Sequence, residues 1–94
     1  MISGKDDQMW PSAALSEIAM RRLARHRFRH PYRHLSYDGV GHAIMFPYTP
    51  STITEIFHPV TRSLMAFGGT PKATAAAKAD SWREVLEFLA ALTK

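Results

Sequence analysis

Residues 70 to 92 place the strongest constraint on how this chain can fold. Thr70 can accept a free backbone N–H of a first helical turn, and Pro71 stands where a missing N–H costs nothing. Behind them Ala75, Ala79, Trp82, Val85, Leu86 and Leu89 recur at helical spacing and define an apolar stripe running to about Leu92. The alanines at its start permit close approach to a sheet. A second stripe, Leu15, Ile18, Ala19 and Leu23, predicts a helix that opens at Pro11-Ser12 with Ser12 as its N-cap. Glu17, Arg21, Arg22 and Arg25 then face water. Pro31 sets the latest end of this helix, because it disfavours helical geometry at His30. Both stripes require a wide surface to lie on.

The rest of the chain offers little strand to build that surface. Tyr32 to Tyr37 alternates, with Tyr32, His34 and Ser36 on one side and Arg33, Leu35 and Tyr37 on the other, which predicts a strand. Met1-Ile2-Ser3 reads as the last step of another, although a strand normally runs about five or six residues. Asp38-Gly39-Val40-Gly41 is a turn. Residues 43 to 69 hold Pro47, Pro50, Pro59, a Ser/Thr-rich run from 49 to 54, and Gly68-Gly69. They read as a long ordered excursion with a short helical turn, of the kind that serves function or packs as a lid. Helices alternating with strands imply an α/β fold with parallel pairing. Two strands, one of them a stump, cannot complete such a sheet. Residues 1 to 94 are therefore expected to be one partial domain, incomplete alone and prone to self-association through its uncovered stripes.

Composition narrows the function classes. Ninety-four residues make one small domain rather than two, and 46% hydrophobic with 21% charged residues is ordinary globular composition. With no cysteine, disulfides, thiolate metal sites and a cysteine nucleophile are excluded. The first residues, Met1-Ile2-Ser3-Gly4-Lys5-Asp6-Asp7, hold early acids and no apolar core of a secretory signal. No apolar run approaches membrane-spanning length, so a cytoplasmic protein without a membrane partner is expected.

The net charge of +4 is concentrated. Arg21, Arg22, Arg25, Arg27, Arg29 and Arg33 share one segment with His26, His30 and His34. Such a cluster could attract nucleic acid or another anion, and Phe28 and Tyr32 interleave with the arginines as stacking residues would. A small basic anion- or nucleic-acid-binding protein using residues 21 to 34 thus stands as the alternative function. The three histidines recur every fourth residue, as on a metal-binding helix face, but Pro31 breaks the helix between them. No metal site and no cofactor are expected. His58, just before Pro59, reads as an ordinary loop residue.

The stretch SYDGVGHAIMFP, residues 36 to 47, is of a different kind. His42 follows Gly39 and Gly41 just past the C-terminal edge of a strand, where α/β enzymes place reactive groups. Asp6-Asp7 occupies the same position after the preceding strand. Adjacent parallel strands bring their C-terminal loops side by side, so a carboxylate and an imidazole can meet. Such a pair orients the ring and stabilises its protonated form, as in two-thirds of a nucleophilic triad. Neighbouring side chains point differently, so either Asp6 or Asp7 addresses the ring and the other steadies the loop.

The stretches SGKDDQMWPS, HLSYDGVGHAIMFPYTP and GGTPKATAAAKADSWREVLEFL, in that order and over nearly the whole chain, resemble the C-terminal catalytic region of one family. It is the acyl-CoA thioester hydrolase/bile acid-CoA:amino acid N-acyltransferase family. The resemblance implies the C-terminal portion of an α/β-hydrolase fold, with triad order nucleophile, Asp, His. Carried over, the acid falls on Asp7 and the base on His42, and acyl-CoA is the substrate of the complete enzyme. The family's Pro-Pro-Tyr after the histidine is Phe46-Pro47-Tyr48 here. Its nucleophile lies upstream in a Gly-x-Ser-x-Gly elbow, serine or in some members cysteine. Neither that motif nor a cysteine occurs in these residues. The resemblance therefore implies a chain that contributes acid and base to thioester cleavage and is inactive by itself.

Overall fold

The computed structural model describes residues 1–44 and 46–93. Six elements follow in order: β1 (Ile2–Gly4), α1 (Ser12–Arg25), β2 (Leu35–Tyr37), β3 (Glu55–His58), β4 (Ser63–Ala66) and α2 (Pro71–Leu92). The strand stump and the alternating segment pair in parallel, Ile2 opposite Leu35, Ser3 opposite Ser36 and Gly4 opposite Tyr37. Strands and helices therefore mix in an α/β arrangement with α1 as the connection between parallel neighbours. The strand expected from Tyr32 shortens to Leu35–Tyr37, because β1 offers only three residues to pair with it.

Among its described residues the excursion holds no helix. Instead β3 and β4 form an antiparallel hairpin, with Ile56 opposite Met65 and Phe57 opposite Leu64. Residues 59 to 62 make its turn, with Arg62 at φ 55°. His58 is not a passive loop residue: its Nδ1 accepts hydrogen bonds from the N–H groups of Val60 (3.3 Å) and Thr61 (3.1 Å). Pro59 thus delimits a strand rather than breaking one.

The two helix starts differ from each other. Thr70 accepts from Ala73 N–H at 3.2 Å and Pro71 begins α2, as the sequence predicts. Ser12, by contrast, does not cap α1. Pro11 takes the cap position with no side-chain hydrogen bond, and the Ser12 hydroxyl turns to the Gly4 carbonyl at 3.4 Å.

Neither apolar stripe is covered. No residue of α1 is buried, and Leu15 and Ile18 lie exposed. On α2 the buried positions are Thr74, Ala77, Lys78 and Ser81, whereas Ala75, Ala79, Leu86 and Leu89 are exposed and Trp82 is covered in part by the Phe46 ring, edge-on at 5.6 Å. The reason is geometric. The N-terminal half of α2 rests on the glycine loops that follow the strands, where a Cβ at Gly39 would lie 3.4 Å from that of Ala73. Further along, Tyr37 donates its phenol proton to Asp80 at 2.8 Å, and Arg33 pairs with Glu84 at 2.7 Å. Burial, with that hydrogen bond added, pushes the Tyr37 phenol up. A sheet two strands wide leaves the other side of each helix without a partner.

Candidate active site

The site forms where the chain leaves the two parallel strands. Past Gly4, Lys5 N–H donates to Tyr37 O and Asp6 N–H to Val40 O, both at 2.9 Å, so the loop after β1 lies against the loop after β2. Gly4 must be glycine, since a Cβ there would collide with the carbonyl oxygens of Val40 and Gly41. Val40 itself is the most deeply buried side chain among the described residues. Gly39, at φ 67°, turns the second loop so that His42 follows directly, and His42 N–H is fastened to Phe67 O at 2.9 Å.

Within this frame His42 Nδ1 lies 2.9 Å from Asp7 Oδ2. The other Asp7 oxygen accepts from the N–H groups of Met9 (2.9 Å) and Trp10 (3.2 Å). An ionised carboxylate only accepts, so Nδ1 carries the ring proton and Nε2 is left with its lone pair free. The Trp10 ring stands edge-on to the imidazole at 4.6 Å, and the Phe67 ring lies 5.5 Å away, tilted by 45°. The Asp7 side chain is only 2% exposed, whereas that of His42 is 28% exposed. The carboxylate is therefore sealed behind an imidazole that stays open to solvent on one side.

Burial raises the Asp7 pKa, but hydrogen bonds from His42 and from the backbone N–H groups of Trp10 and Met9 together outweigh it. The net result holds this carboxyl below its ordinary value. Asp7 is thus an anion at neutral pH.

The choice between the adjacent acids is resolved by where they point. Asp6 turns away from the ring and accepts from Gly69 N–H at 2.7 Å, while Asp7 alone meets His42. The sequence did not disclose a second relay. Ser3 Oγ lies 2.6 Å from His34 Nε2, and His34 Nδ1 lies 2.6 Å from Glu17 Oε1. Its order of hydroxyl, imidazole and carboxylate resembles a hydrolytic triad, but Ser3 sits mid-strand at 3% exposure, out of reach of an acyl group. It acts as an interlock of α1 on the sheet. No sequence signal betrays it, since its members stand 31 and 17 positions apart. Both His34 nitrogens are occupied, and among the described residues no three His, Cys, Asp or Glu side chains cluster as a metal site. Phe28 packs its ring against His30 (5.3 Å) and Tyr32 (6.0 Å). Those aromatics are engaged with each other within the arginine-rich segment.

With the pair in place, the comparison with known proteins is direct. Residues 1–94 match the family described as BAAT / Acyl-CoA thioester hydrolase C terminal. The chain belongs to this family. Over 87 residues, 93% of the chain, it is 36% identical to the peroxisomal succinyl-coenzyme A thioesterase of Mus musculus. Over the same length it is 41% identical to acyl-coenzyme A amino acid N-acyltransferase 1 of Mus musculus and 36% identical to acyl-coenzyme A thioesterase 6 of Homo sapiens. The match spans 20% of the length of each of these relatives. Members of the BAAT/acyl-CoA thioester hydrolase family thus include both hydrolases and acyltransferases by name. Among the described residues of this member, no helix is long and apolar enough to cross a membrane.

Proposed function

We propose that this chain is the C-terminal portion of an α/β-hydrolase fold and supplies the acid, Asp7, and the base, His42, of a centre that cleaves acyl-CoA thioesters. The single observation that carries this reading is the 2.9 Å contact between His42 Nδ1 and a sealed Asp7 carboxylate at the rim of two parallel strands. Family membership supports the substrate class, since two of these relatives are named for acyl-coenzyme A and the third for succinyl-coenzyme A.

In this scheme His42 Nε2 takes the proton of an attacking hydroxyl or thiol supplied from outside residues 1–94. Asp7 keeps the ring in the Nδ1–H tautomer and stabilises the imidazolium that forms. The tetrahedral intermediate collapses, the C–S bond breaks, and His42 returns its proton to the departing CoA thiolate. Water, or an amine in a transferase, then gives its proton to His42 and attacks the acyl-enzyme; the acyl–enzyme bond breaks, and His42 returns that proton to the released nucleophile. Absence of a nucleophile in these residues is decisive for rate. Losing a triad nucleophile costs roughly a million-fold in kcat, and oxyanion donors contribute about a further hundred- to thousand-fold.

The 94-residue chain alone is therefore expected to hydrolyse long-chain acyl-CoA no faster than imidazole background. An enzyme-like rate that disappears in His42→Ala would overturn the missing nucleophile. The roles of acid and base are tested by replacing the matching C-terminal fifth of a thioesterase relative with residues 1–94. The chimera should retain hydrolysis and lose it by a factor of about ten thousand or more in His42→Ala. A chimera indifferent to His42 would refute the assignment.

A further inference from the structure

We propose that Asp6 is a positioning residue for His42, acting through the Gly68-Gly69 segment. Three loops meet at the rim: residues 4–8 after β1, residues 39–42 after β2, and residues 67–70 before α2. Their backbones are tied together. Gln8 N–H (3.2 Å) and His42 N–H (2.9 Å) both donate to the Phe67 carbonyl, Thr70 N–H donates to Gly39 O (3.0 Å), and Val40 bridges Gly69 in antiparallel fashion. Side chains have no room between them. A Cβ on Gly41 would collide with the carbonyls of Gly68 and Phe67, and one on Gly68 with the Asp6 carbonyl.

Gly68 and Gly69 are consecutive left-handed residues, at φ 75° and 77°, so the chain reverses sharply just after Phe67. That reversal turns Gly69 N–H toward Asp6 Oδ2, which accepts it at 2.7 Å, a short charge-assisted bond. Among the described residues it is the one side-chain hydrogen bond that joins 67–70 to the loop after β1. The carbonyl that holds His42 N–H, and the ring tilted against the imidazole, both belong to Phe67, next to the glycine pair. The Asp7 carboxylate, in contrast, is also oriented by the N–H groups of Met9 and Trp10. Loosening Gly69 therefore displaces the imidazole more than the carboxylate. The two neighbouring carboxylates divide the work: Asp6 sets where the ring stands, and Asp7 sets which nitrogen carries its proton.

This assignment rests on His42 being the general base, but its test uses no activity. In the full 94-residue chain, imidazole 15N–1H spectra report the His42 Nδ1–H bond to Asp7, and the His34 Nδ1–H bond to Glu17 serves as a fold control. Asp6→Ala should weaken or abolish the His42 signal and speed Gly69 amide exchange by about ten- to a hundredfold, leaving His34 unchanged. Asp6→Asn keeps a neutral acceptor for Gly69, so it should restore the His42 signal and speed exchange by only several-fold. An intact His42 signal in Asp6→Ala, or unchanged Gly69 exchange there, overturns the proposal. Should Asp6→Ala fail to fold, unchanged Gly69 exchange in Asp6→Asn overturns it instead. A catalytically idle His42 would still show this coupling, so the two readings fail in different measurements.

Discussion

Replacing Asp7 by asparagine keeps the shape of the site and inverts its proton logic. The buried carboxylate accepts three hydrogen bonds: from Met9 and Trp10 on one oxygen, and from His42 on the other. An amide has one oxygen and one NH2. If the oxygen keeps the two backbone donors, the NH2 faces His42 Nδ1 and forces that nitrogen to accept, which moves the ring proton to Nε2. The stability loss should be modest. Bonds to a charged acceptor are worth about 1.5–3 kcal/mol and neutral ones about 0.5–1.5, so a loss of roughly 1–3 kcal/mol is expected. In the chimera described above, where the proposed roles of Asp7 and His42 are read as activity, the expected loss is larger, since the wrong tautomer lowers kcat by about ten thousand-fold, or about 5.5 kcal/mol. Long-range 1H–15N correlation spectra distinguish the tautomers directly in the 94-residue chain. Wild type should show protonated Nδ1, and Asp7→Asn protonated Nε2. The same tautomer in both would refute the idea that Asp7 dictates the proton on His42.

Three further outcomes are expected. Because hydrogen bonds hold the Asp7 carboxyl below 3.8, its stabilisation is complete above the ordinary carboxylate range and is lost as pH falls below about 4 through the native value. Acid unfolding followed by circular dichroism should show this limb, and Asp7→Asn should flatten it. Gly69→Ala places a Cβ against Gly41 N at a φ of 77°, and should cost about 2–4 kcal/mol, lowering the thermal midpoint by roughly 10 °C or more. An unchanged midpoint would contradict the interleaving of the loops. Lys78, 2% exposed, donates to Thr49 Oγ1 (3.2 Å) and Pro50 O (2.8 Å), so Lys78→Met should strand both acceptors at about 1–3 kcal/mol. Limited proteolysis between residues 46 and 52 should accelerate in that variant.

That a carboxylate of the Asp6-Asp7 pair would meet His42 could be foreseen because it depends on topology alone. Parallel neighbours deliver their following loops to one edge, whatever the details of the turn. Which aspartate turns inward could not be read from the residues, because the direction of a side chain in a tight loop depends on which N–H groups lie nearby. Thr70-Pro71 was legible for a similar reason, since a cap and its helix are local. The Ser12 cap was misread because Gly4 competes for the same hydroxyl from across the loop. The β3–β4 hairpin was hidden by prolines that bound it, and by short strands with no strict alternation. Ser3, His34 and Glu17 lie on three different elements, and only the packing of α1 on the sheet reveals them. The helix stripes were legible as apolar and as wanting a surface that two short strands do not provide: spacing defines a face but does not supply what covers it.

That uncovered face leads to a prediction in which the rim and the helices separate. Leu15 and Ile18 on α1, with Leu86, Leu89 and Leu92 on α2, are each about half exposed, between 51% and 56%. Burying such a side chain is worth about 1.5–3 kcal/mol when complete, so covering the half that remains exposed on these five gives on the order of 5 kcal/mol. Association itself costs about 4–15 kcal/mol, so these faces support weak, concentration-dependent association rather than a tight complex. Sedimentation velocity should show a rising average mass over the micromolar to millimolar range, and Leu86→Glu with Leu89→Glu should return the chain toward monomer. The His42 tautomer should be the same in both states. It is held by Gly4, Gly41, Gly68 and Gly69 packed backbone to backbone, and by Asp7, none of which lies on a helix stripe. A tautomer that changes when the assembly dissociates would show that the rim depends on covered helices, and that the loops do not hold the half-site by themselves.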